Sequence, residues 1–133
     1  MLGSINWLSV FVATLSSFVV GALWYGPLFQ KPWMAATGMT KEKGAKGNMA
    51  LIFGGTFVLN LFVAAGIAVL LGSTRSLLLG LHTGLFTAFF FVATALGVIY
   101  LFEQRSLKLW LINAGYQVVI FTVMGGIIGA WPK

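Results

Sequence analysis

Four long apolar stretches determine the solvent in which this chain can fold. A helix that crosses a lipid bilayer needs roughly 20 apolar residues, and only 8% of the 133 residues are charged, against about 25% in a typical soluble domain. With so few charges, a water-facing surface could not be covered. The sequence therefore predicts an all-α integral membrane bundle, a single domain over residues 1–133. Its predicted transmembrane helices lie at about residues 5–24, 49–71, 77–102 and 109–131.

The residues that the chain lacks exclude several chemistries. It has no cysteine, so disulfides, thiolate catalysis and cysteine-based metal sites are excluded. His82 is the only histidine, and Glu42 and Glu103 both lie outside the predicted spans, which argues against a metal site and against carboxylate-coupled proton or cation exchange. No catalytic constellation and no phosphate-binding loop is visible. We therefore expect no metal and no cofactor, and an enzyme is the least favoured class.

Most basic residues lie in the loops that follow the first and third spans. The net charge is +6, and the positive-inside rule places the more basic loops in the cytoplasm, which predicts both termini outside. Because these residues flank apolar spans, topology and anionic headgroups explain the charge better than nucleic-acid binding does. We expect membrane lipids as partners and no nucleic acid. The residues predicted to contact lipid headgroups are Lys31, Trp33, Lys41, Lys43 and Lys46.

An aromatic segment follows the first span. Pro27 cannot donate to the helix ladder and Gly26 loosens it, so the helix is expected to end there. Residues 34–48 are expected to form a short polar loop. Residues 25–31 and 100–105 both begin with tyrosine, and they end two spans that are predicted to cross the membrane in the same direction. Two parallel hairpins would produce this pattern, and so would aromatic belts and basic loops alone.

Small residues mark the helix faces that should pack closely. In lipid, helices associate through small side chains and polar contacts rather than through the hydrophobic effect. The fourth span has a glycine face and a polar face on opposite sides, so it should be central or lie at a subunit interface. We expect a homo-oligomer, either a dimer or a trimer. The predicted packing residues are Ala13, Ser17 and Gly21 on the first span and Gly125, Gly126 and Gly129 on the fourth.

Polar residues lie at several depths in the predicted spans. They could line a polar path or bind a ligand, or they could hydrogen-bond the helices to one another. For the threonines, bonding to the preceding turn of their own helix is a further alternative. The histidine could be a proton relay or ligand, or a partly wetted interfacial side chain. The candidate path residues are Asn60, His82, Thr83, Thr87, Asn113, Tyr116 and Gln117.

The chain resembles a bacterial membrane family catalogued as domain of unknown function 1761. The resemblance rests on Asn6-Trp7, on residues 21–29 with Lys31 and Trp33, and on residues 107–116 and 124–131. It implies a small multi-span membrane protein of unassigned activity, and it supplies no catalytic residues. With this resemblance, we expect the chain to lie in a bacterial cytoplasmic membrane.

Two classes of function therefore remain open. The first is a small oligomeric channel or transporter for a neutral or anionic solute, which the polar residues at several depths favour. The absence of carboxylates from the spans suits such a solute better than an exchanged cation. The second is a structural or partner-binding protein whose polar residues only fasten helices in a dry core. A continuous water path would indicate the first class, and fully packed polar groups the second.

Overall fold

The computed structural model describes Gly3 and residues 5–132. Among these residues there is no strand, and four helices are long and apolar enough to cross a membrane, as the sequence predicts. The fold is therefore an all-α bundle of the kind found in integral membrane proteins. The helices are α1 (Trp7–Leu28), α2 (Gln30–Thr37), α3 (Lys41–Lys46), α4 (Met49–Leu71), α5 (Leu77–Phe102) and α6 (Leu107–Ala130).

The first helix does not end at Pro27, so the prediction of a stop there is wrong. The proline removes one N–H from the ladder, but a wider π-helical turn over Trp24–Leu28 carries the helix past it. In this turn the Phe29 N–H donates to the carbonyl of Trp24 at 2.8 Å, five residues back. The break comes at Phe29, whose φ of −129° and ψ of 15° are not helical.

The predicted polar loop over residues 34–48 is also wrong, because two short helices occupy much of it. Helix α2 ends at Thr37 and is capped by Gly38, which has a φ of 75°, a conformation that glycine adopts without strain. Thr40 then caps α3 by accepting from the Lys43 N–H at 3.1 Å, and Asn48 caps α4 by accepting from the Leu51 N–H at 3.1 Å.

Helix α6 is the central element, since it packs against α1, α4 and α5. Its closest neighbour is α5, where glycines from the two helices meet backbone to backbone. A Cβ on Gly80 would overlap the carbonyl of Gly125, and a Cβ on Gly129 would lie 3.0 Å from the Cα of Gly80. The small-residue faces of both helices are thus used against each other. Gly126 packs against Leu81, and Gly84 packs against Phe121 and Thr122.

Candidate functional site

One asparagine joins two tyrosines at the end of the bundle that carries the lysine-rich segment, residues 31–46. The Tyr25 hydroxyl donates to Asn113 Oδ1 at 2.7 Å, and Asn113 Nδ2 donates to the Tyr100 hydroxyl at 2.8 Å. The Tyr116 ring lies edge-on to that of Tyr25, with 5.1 Å between centroids. All three tyrosines of the chain therefore meet around one amide that links α1, α5 and α6. We call Tyr25, Tyr100, Asn113 and Tyr116 the tyrosine cluster.

Two tryptophans fasten the same helices beside the tyrosine cluster. Trp24 Nε1 donates to the carbonyl of Ile112 at 2.9 Å and so ties the π-helical turn of α1 to α6. Trp110 Nε1 donates to the carbonyl of Ala93 at 2.9 Å, where a second π-helical segment, Ala88–Ala93, ends within α5. An indole N–H placed in an apolar medium needs such an acceptor. These bonds set the rotation of α6 between its neighbours.

Ser17 is a second polar junction, farther from the lysine-rich end. Asn60 is only 8% exposed, and its Nδ2 donates to Ser17 Oγ at 2.9 Å. The Ser17 hydroxyl in turn donates to the carbonyl of Thr14 at 2.7 Å. The Ser17 carbonyl accepts from the Tyr116 hydroxyl at 3.1 Å. One serine thus connects α4, α1 and α6 and leads to the tyrosine cluster.

Replacing Ser17 by alanine should lower the free energy of unfolding by about 1–3 kcal/mol, because the buried Asn60 amide loses its acceptor. Denaturation of the purified protein in mixed micelles, followed by tryptophan fluorescence, measures this change. Ser16 provides a matched control, since its hydroxyl bonds only to the Ala13 carbonyl of its own helix. Ser16→Ala should change the free energy by less than about 0.5 kcal/mol. Equal losses of stability for Ser17→Ala and Ser16→Ala would contradict the conclusion that Ser17 joins the helices.

The remaining candidate path residues lie outside this network. His82 is exposed on the single chain, while Thr83 and Thr87 are half-buried, and the Thr87 hydroxyl donates to the Thr83 carbonyl at 2.8 Å. Gln117 is half-buried one turn from Asn113, and its side chain forms no hydrogen bond within the described part of the chain. The structure therefore brings together Asn60, Asn113 and Tyr116 and leaves the other candidates apart.

The sequence reasoning missed the partners that complete the network. Tyr25 and Tyr100 are not among the candidate residues, and Ser17 is predicted only as a small packing residue, although each accepts or donates a bond between helices. A usable signal was present, because Tyr25 and Tyr100 begin the two similar segments that close α1 and α5. Two aromatic hydroxyls at equivalent ends of two helices point to a shared partner between them, which is Asn113.

Two surface grooves flank α6 next to the tyrosine cluster. We call the larger one the Lys108 groove; it has a volume of about 480 Å³. The smaller one, the Arg105 groove, has a volume of about 270 Å³. The Lys108 groove is lined by Trp24, Phe29, Pro32, Lys108, Leu111, Ile112 and Gly115, and the Arg105 groove by Gly97, Tyr100, Leu101, Arg105, Ser106, Leu107 and Trp110.

The predicted headgroup residues lie on α2 and α3, the two short helices that follow α1 in the chain. Lys31, Lys41, Lys43 and Lys46 are exposed, and Trp33 is half-buried with its ring centroid 5.6 Å from that of Tyr25. This contact connects α2 to the tyrosine cluster. Over residues 5–132, no group of three or more histidine, aspartate or glutamate side chains comes together that could hold a metal ion.

The fold and the tyrosine cluster define a small helical protein with four helices that are long and apolar enough to span a membrane. These helices are fastened to one another by side-chain amides, hydroxyls and indoles. A family model described as Protein of unknown function (DUF1761) matches residues 8–129, which include most of all four spans. The chain belongs to this family, as its sequence resemblance predicts. No curated protein and no solved structure matches the chain.

Proposed function

We propose that this is a protein of the bacterial cytoplasmic membrane that acts by binding partners within the bilayer, with a core that excludes water. The observation that carries this proposal is the pairing of Asn60. It is the most deeply placed polar side chain of α4, it is 8% exposed, and it is bonded to Ser17. A side chain that lines a water path would instead leave its amide open to solvent.

A second copy of the chain is one of the proposed partners. His82 is exposed on α5, about one and a half turns from the helix start, and lipid tails offer its ring no hydrogen bond. A neighbouring copy could supply an acceptor there. Light scattering in detergent should therefore give a mass of two or three chains, and a mass of one chain would count against self-association.

An oligomeric channel or transporter for a small neutral or anionic solute is the second candidate. It is favoured by His82 and Gln117, because neither side chain forms a hydrogen bond in the described part of the chain. In this case water would pass between copies or beside α6. The two candidates therefore differ in whether water reaches the middle of the membrane.

Cysteine labelling separates the two candidates, and the chain contains no cysteine of its own. Single cysteines at Asn60 and Gln117 would be exposed to a small membrane-impermeant thiol reagent from both sides of the membrane. Thr74→Cys, in the exposed turn before α5, is the positive control. We expect no labelling at Asn60→Cys or Gln117→Cys in the time that labels Thr74→Cys completely. Rapid labelling at either site would replace the first proposal by the channel.

A further inference from the structure

We propose that the Lys108 groove holds one anionic phospholipid, with an acyl chain along its apolar wall and the phosphate at the Lys108 ammonium. This site is independent of whether the core is dry or wet, so it goes beyond the proposed function. Its volume of about 480 Å³ falls within the range of about 300–1,000 Å³ that is typical of small-molecule sites.

The wall of the groove suits hydrocarbon. Its aromatic side chains are Trp24 and Phe29, whose ring centroids lie 4.6 Å apart. The one polar atom of the Trp24 side chain already donates to the carbonyl of Ile112. Leu111, which also lines the groove, is 56% exposed and points an aliphatic side chain into it. An occupant that brought polar groups to this wall would lose hydrogen bonds to water without replacement.

The charge of the groove lies at one end. Lys108 is in the first turn of α6, and Gly115 lies about 10 Å farther along the helix at about 1.5 Å per residue. Because Lys108 lies at the start of α6, near the surface of the membrane, the groove runs from the headgroup level toward the hydrocarbon. An amphiphile that enters with its tail first would place its headgroup at the lysine. A solute that is polar throughout would not match this gradient.

The lysine also lacks a counterion. Among residues 5–132 the one ion pair is Arg105–Glu103, at 2.7 Å. In the Arg105 groove, therefore, the guanidinium is already neutralised, and it lies 5.4 Å from the centroid of the Tyr100 ring. Lys108 has no such carboxylate, so a phosphate from the lipid supplies the missing negative charge. This difference distinguishes the two grooves. An anionic lipid is favoured over a zwitterionic one because its phosphate charge is not already offset by a cationic group of its own headgroup.

Native mass spectrometry of the full chain tests the site with phosphatidylglycerol and phosphatidylcholine as probes. We expect one phosphatidylglycerol to be retained in preference to phosphatidylcholine. Lys108→Gln should lower its retention about fivefold, whereas Arg105→Gln, in the other groove, should leave it unchanged because that guanidinium is already paired with Glu103. Leu111→Trp should fill the groove and abolish retention, whereas Leu59→Trp, on an exposed face of α4, should not.

Two results would overturn the proposal. Equal losses for Lys108→Gln and Arg105→Gln would mean that the lipid is held by the basic surface as a whole. Retention by Leu111→Trp at the wild-type level would mean that no acyl chain lies in the groove. All four positions are exposed, so the variants should fold, and thermal denaturation in the same detergent verifies this.

Discussion

Gly125→Ala should lower the free energy of unfolding by about 3 kcal/mol, the upper part of the range for overpacking a close contact. The new Cβ would overlap the carbonyl oxygen of Gly80 and lie 3.0 Å from its carbonyl carbon and 3.3 Å from the Gly84 backbone nitrogen. These atoms belong to a helix backbone and cannot rotate aside as a side chain can. The substitution therefore has to move α5 away from α6. Unfolding in mixed micelles, followed by tryptophan fluorescence, measures the loss.

Gly66→Ala is the matched control for this substitution. Gly66 is also a glycine within a spanning helix, but a Cβ there would meet no atom within 4 Å. Its replacement should change the free energy of unfolding by less than about 1 kcal/mol, which is the helix-propensity difference between glycine and alanine. If Gly125→Ala proved as mild as Gly66→Ala, the close backbone contact between α5 and α6 would be refuted.

The four spans and the small-residue faces could be predicted because they depend on local pattern. A long apolar run has to form a helix in lipid, where every backbone group needs an internal partner. Gly125 and Gly129 recur at a helical spacing, so they lie on one face whatever that face contacts. The sequence did not show that their partner is Gly80 on α5, because the choice of neighbouring helix is a property of the whole bundle.

The tyrosine cluster could not be predicted from local pattern for the same reason. Asn113 meets Tyr25 and Tyr100 only when three helices have one particular rotation and depth. The π-helical turn at Trp24–Leu28 contributes to that rotation because it widens α1 at Tyr25 itself. The prediction that α1 ends at Pro27 is wrong, although the proline does alter the helix there. The helix widens there instead of ending because the Phe29 N–H donates to the Trp24 carbonyl.

The tyrosine cluster also changes how the polar residues are interpreted. At the sequence level, Asn113 and Tyr116 fit a water path as well as they fit a bond between helices. Their observed partners are side chains and carbonyls of α1 and α5, which accounts for their polarity without a solute. The same account does not extend to His82 and Gln117. Their polarity is therefore the part of the sequence pattern on which the channel hypothesis depends.

Asn113→Leu should lower the free energy of unfolding by about 2 kcal/mol, because one substitution leaves two tyrosine hydroxyls without their partner. Tyr25→Phe alone should cost less, about 0.6–1.7 kcal/mol for one hydrogen bond between helices. If the Tyr25 hydroxyl and Asn113 bond only to each other between α1 and α6, the double substitution should lower the free energy of unfolding little more than Asn113→Leu alone. Unfolding of the four proteins in mixed micelles gives the coupling energy directly.

Thr87→Val supplies the control for this cycle. The Thr87 hydroxyl donates to a carbonyl of its own helix, so it should show no coupling to Asn113, and the two effects should add. Additive effects for Tyr25→Phe and Asn113→Leu as well would mean that Asn113 does not hold α1. Coupling with Tyr25 but none with Thr87 would instead assign Asn113 the role of fastening α1 to α6. The polarity of this residue would then need no solute to explain it.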